Sequence, residues 1–150
     1  MDRLRAFLLG VILVGAVGLV AELLLLEHFD EWRQWVPLVL LGATILLGAV
    51  VGVRPTDGAV RAFRLVMMLC LVAGAIGVWF HYQGNVEFER ERDGALGGLA
   101  LFWEAIRGAT PALAPGALAQ LGLLGLVWAH FHPAVRGRSF GGHDEPREGR

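Results

Sequence analysis

His28, His81, Glu27, Glu87, Glu89 and Glu104 are the side chains from which this chain could assemble a metal site. Imidazole nitrogens and carboxylate oxygens suit zinc, copper(II) or iron without any thiolate. His28, His81 and Glu87 form the first ligand set to consider, and a transition metal is the cofactor such a set implies. No HxxxH, HxxE or ExxH spacing gathers these residues on one helix, so three separate segments must converge for the site to exist. The stretch His81 to Asp93, HYQGNVEFERERD, also fits a plainer role. There Asn85 caps the start of a solvated helix, Glu87 lies in its first turn, and Glu87 and Glu91 repel each other at i, i+4 unless water separates them.

Glu22 and Gln120 raise a different chemistry. Glu22 lies four residues inside the end of the first apolar run, about 6 Å deep by helical rise, where an ionisable group is expensive. Gln120 falls eight residues into the last apolar run. A Glu22–Gln120 hydrogen bond clamping the first helix to the last is the structural reading; a titrating Glu22 in a small proton-coupled transporter is the functional one. The candidate polar site is therefore Glu22, Gln120, His28, His81, Asn85, Glu87 and Glu104.

No catalytic residue is assigned. The chain has no P-loop, dinucleotide fingerprint, HExxH or CxxC motif, and each of those supplies a specific phosphate cradle or ligand pair. Its single cysteine, Cys70, excludes an intrachain disulfide. His130 and His132, at i, i+2, diverge on a helix and suit an interfacial helix end better than a chelate.

The elements that must position these residues are apolar helices. Of the 150 residues 55% are hydrophobic and 18% charged, and the mean hydropathy is +0.56, which is too apolar for an ordinary soluble domain. The expected fold is an all-α integral membrane protein, a four-helix bundle of up-down topology over residues 1–132, with spans at 6–26, 35–53, 63–80 and 112–131. Runs of about 20 apolar residues match a bilayer core. The first run is read as a membrane helix rather than a cleaved signal peptide, because it is long for a signal core. Residues 81–111 form the expected outer loop, in which 94–108 (GALGGLALFWEAIRG) has apolar residues near helical spacing and reads as an interfacial amphipathic helix. The tail 133–150, rich in Gly, Arg and acids, reads as flexible and cytoplasmic.

Charge sets the orientation. With both termini on one side, nine of the thirteen arginines (Arg3, Arg5, Arg54, Arg61, Arg64, Arg136, Arg138, Arg147 and Arg150) share that side, and the positive-inside rule makes it cytoplasmic. Nine of the fourteen acids, and Trp32, Trp35, Trp79 and Trp103, fall at or near the opposite face. The expected location is a bacterial-type inner or plasma membrane. The net charge of −1 argues against nucleic-acid binding. The expected partners are the lipid bilayer and other membrane subunits or further copies of the chain. Gly48 and Gly52 form a GxxxG, and Ala73 with Gly77 a second small-xxx-small pair, suited to close helix packing. The function expected is a non-enzymatic subunit or accessory factor of a membrane complex, docking partners through glycine-rich faces and the acidic segment 81–107. The alternatives are an outward metal or cation site of a membrane enzyme and the Glu22 transporter.

Overall fold

The computed structural model describes residues 3–130 and 132–136 of the chain. It is 81% helical and has no strand among the described residues. The order is α1 (Arg3–Leu25), a 3-10 turn (Trp32–Gln34), α2 (Trp35–Val53), α3 (Asp57–Arg92), α4 (Gly98–Ile106), α5 (Gly116–Ala129) and α6 (Pro133–Arg136). Three helices are long and apolar enough to cross a membrane: α1, α2 with its preceding turn, and α3. Of the expected flexible tail, residues 133–136 form the short helix α6, and 137–150 lie outside the described residues.

Each long helix follows from local chemistry. Pro37 sits in the first turn of α2, where its missing N–H costs nothing. The Thr56 hydroxyl caps α3 by accepting from the Ala59 N–H at 3.2 Å, and Asp57 in the first turn meets the positive helix end.

The largest departure from expectation is α3. It does not stop at Phe80 but runs 36 residues to Arg92, roughly 54 Å by helical rise, well beyond a bilayer core of roughly 30 Å. The first part of the expected outer loop is therefore helix, and Asn85 is no N-cap; it lies in the interior of α3, 2% exposed. A helix is present in the expected stretch but is shorter than 94–108, because Gly97 is extended and Gly98 is left-handed, with φ of 58°. Leu101 and Ala105 are its buried residues, and Leu99, Phe102 and Trp103 stay exposed.

Glycine holds the helices together from within. A Cβ at Gly122 of α5 would lie 2.6 Å from the Met67 carbonyl oxygen and 2.7 Å from the Leu71 nitrogen of α3. One at Gly74 would lie 2.5 Å from the Ala119 nitrogen, and one at Gly77 2.7 Å from the Pro115 ring. The α3 and α5 backbones thus touch along an antiparallel seam. Gly48 does the same for α2 on α1, where Leu13 fills the space. The glycine-rich faces expected to dock partners are largely consumed inside the chain, while Gly10, Gly18 and Gly42 have open space around them.

At the end where α1 begins, Trp128 is buried beneath α1. Its indole Nε1 donates to the Arg5 carbonyl at 2.9 Å, and Arg5 Nη1 donates to the Trp128 carbonyl at 3.1 Å. Its ring meets Phe63 edge-on at 5.2 Å, an arrangement favoured by the ring quadrupoles. Trp128→Phe should keep the ring contact, lose one hydrogen bond and lower stability by about 1 kcal/mol, read as a lower thermal midpoint in mild detergent.

Candidate functional site

A cavity of about 730 Å³ opens between α1, α2, α3 and the start of α5, at the end where α1 finishes. Leu41, Ala73 and Leu118 line it, as do Glu22, His28, Arg33 and His81. It has the size and the mix of apolar wall and few polar groups typical of small-molecule sites.

His28 reaches it through the turn that ends α1. Its N–H donates to the Leu23 carbonyl at 2.9 Å and that of Glu27 donates to the Leu24 carbonyl at 3.1 Å, a Schellman turn. Glu27 takes the left-handed position, with φ of 51°. A glycine normally fills that place, and a side chain there costs roughly 1–2 kcal/mol.

His81 lies on α3 with its ring 6.4 Å from that of His28, centroid to centroid. Its Nδ1 is 3.2 Å from the Pro111 carbonyl. A carbonyl can only accept, so Nδ1 carries the proton, and Nε2 of the neutral ring is left as an acceptor. Arg33, which no motif in the sequence singles out, also lines the cavity. Its guanidinium carbon stands 5.9 Å from the Trp32 ring centre and 5.7 Å from that of Phe80, within cation–π range of both. Trp32 beside it was a visible signal; Phe80, 47 residues away, was not.

The remaining candidates go elsewhere. Gln120 is exposed on α5 and makes no side-chain hydrogen bond to Glu22, so the expected clamp between those helices is not formed. Leu118, Leu121, Gly122 and Gly125 occupy the inward side of α5 and leave Gln120 outside. Glu87 is exposed and does not line the cavity. Among the described residues no three His, Cys, Asp or Glu side chains gather closely enough to hold a metal ion, the His28–His81–Glu87 set included. Glu104 pairs with Arg107 at 3.0 Å and Glu89 with Arg92 at 2.6 Å, both within one helical turn or its edge.

Asn85 serves as a joint. Its Nδ2 donates to the carbonyls of Ala105 at 2.9 Å and Thr110 at 2.6 Å, and its Oδ1 accepts from the Thr110 N–H at 3.2 Å. Gly108 sits against it, since a Cβ there would come within 2.7 Å of the Asn85 Cγ. The joint fixes the end of α4 and the following turn on α3, and this places Thr110 and Pro111 at the cavity.

Comparison with known proteins adds no relative: no family model, curated protein or solved structure matches the chain.

Proposed function

We propose that this chain is a four-span membrane protein of up-down topology with cytoplasmic termini, a non-enzymatic accessory subunit that holds an amphiphilic molecule in its outer-leaflet cavity. The single observation that carries this reading is the 730 Å³ cavity, apolar in depth and edged by Glu22, His28, Arg33 and His81. Hydrocarbon fits beside Leu41, Ala73 and Leu118, where water gains nothing by staying. Charges of both signs at the mouth suit a zwitterionic or phosphate-bearing head, with Arg33 as donor to the anionic group.

The fourth span is α5 with its flanking turns. Its 14 helical residues measure roughly 21 Å, and residues 112–115 and His130 complete the crossing. The antiparallel contacts along α5, from Gly77–Pro115 to Phe63–Trp128, support that course. With the glycine seams used internally, partner subunits meet the exposed Phe102 and Trp103 of α4 and the acidic end of α3.

Lipid extraction and mass spectrometry of protein purified in mild detergent provide the test. Wild type should carry one amphiphile in near-stoichiometric amount. Ala73→Phe, which fills the cavity, and Arg33→Gln, which removes the head-group donor, should each reduce it on the order of tenfold. An identical lipid profile in wild type and both variants would sink the reading.

A further inference from the structure

A second, smaller cavity, about 230 Å³, lies at the opposite end of the molecule. Arg61, Arg64, His130 and His132 line it, over an apolar floor that includes Val60 and Ala129. We infer that this cavity binds the phosphate group of an anionic phospholipid in the inner leaflet. The inference rests on the bilayer placement proposed above but not on the outer cavity having a ligand.

Position is the first argument. Arg61 and Phe80 are 19 residues apart on α3, roughly 28 Å by helical rise, close to the thickness of a hydrocarbon core. With the aromatic residues near Phe80 at the outer boundary, Arg61 stands at the inner head-group level. Arg64 lies one turn deeper and reaches back along its own stem.

Available donors are the second argument. Arg61 reaches Asp57 through Nε, at 2.9 Å, which leaves its two terminal nitrogens for a ligand. Arg64 makes no side-chain hydrogen bond or ion pair among the described residues. Two guanidinium forks at one cavity suit a phosphate better than a single point charge does. His132 is 4% exposed, and its Nδ1 accepts from the Ala134 N–H at 3.2 Å. Its neutral ring therefore keeps the proton on Nε2, a further donor. Burial, and then the Arg5 charge, hold its pKa below the usual imidazole value. Basic pockets between helices on the cytoplasmic side are a recurring means of holding anionic head groups.

Native mass spectrometry of the full chain with equal amounts of phosphatidylglycerol and phosphatidylcholine tests the inference. Wild type should retain phosphatidylglycerol with a preference of about thirtyfold, as expected from two basic groups each worth about 1 kcal/mol near an anionic lipid. Arg64→Gln should weaken that preference and the Arg61→Gln/Arg64→Gln pair should abolish it. Arg54→Gln, which removes an equal charge at the same end but outside the cavity, should keep it. Equal retention of both lipids by wild type, or equal loss in Arg54→Gln, would overturn the site. Inorganic phosphate that binds the lipid-free protein and displaces phosphatidylglycerol would support the phosphate site and identify the free anion as its ligand.

Discussion

Gly122→Leu should leave little folded protein. Any side chain at that position starts with a Cβ 2.6 Å from the Met67 carbonyl oxygen and 2.7 Å from the Leu71 nitrogen. Both are backbone atoms of α3, so no rotamer change relieves the clash; the two helices must separate. Between apolar helices in lipid, close packing is the main source of association, and overpacking of this kind costs at least about 3 kcal/mol. The expected readout is loss of the monodisperse peak in size-exclusion chromatography after mild heating. Gly10→Ala is the control, because a Cβ there meets nothing within 4 Å; it should match wild type or gain up to about 1 kcal/mol from better helix propensity. A Gly122→Leu protein with the thermal midpoint of wild type would show that α3 and α5 do not pack along this seam.

Asn85→Leu should release α4 while leaving the apolar helices in place. The substitution removes three hydrogen bonds and strands the Thr110 N–H and carbonyl against α3, while the Ala105 carbonyl keeps only the 3.4 Å bond from the Gly108 N–H. With each such bond worth about 1 kcal/mol net, and more where a buried partner is left unsatisfied, the expected loss is about 2–4 kcal/mol, confined to this joint. Hydrogen exchange should accelerate over residues 94–111 and stay unchanged in α1 and α2. Asn85→Asp preserves shape but turns the Nδ2 donor into an acceptor facing two carbonyls, so it should be as disruptive near neutral pH. Unchanged protection of α4 in both variants would assign its attachment to Leu101 and Ala105 instead.

Asn85 also owes its place to residues far from it in the chain. A polar residue after an apolar run, followed by acids, has the local signature of a helix start, and its neighbours Gly84 and Gln83 do not contradict it. The helix continues because Asn85 finds its partners 20 and 25 residues away, at Ala105 and Thr110. No local rule contains that information. Glu22 and Gln120 failed in a related way: similar depth along two helices says nothing about rotation, and the inward face of α5 is occupied by Leu118, Leu121, Gly122 and Gly125. His28 and His81 did come together, though without the Glu87 that would have completed a ligand set.

What the amino-acid order determined by itself was the material of the protein: all-helical, with long apolar runs punctuated by Pro, Gly and Arg, and with arginines and acids sorted to opposite ends. Those properties are local or additive, being sums of propensity, hydropathy and charge along the chain. The tertiary structure alone decided which glycines serve as contacts, how far α3 projects, and which of the scattered polar residues share a wall. Arg33, His28, His81 and Glu22 meet at one cavity because two helix ends and a Schellman turn aim them there. Arg61, Arg64 and His132 meet at another because α5 ends against the start of α3. Such meetings depend on helix rotation and close backbone approach, which are set by packing across the molecule rather than by any one segment.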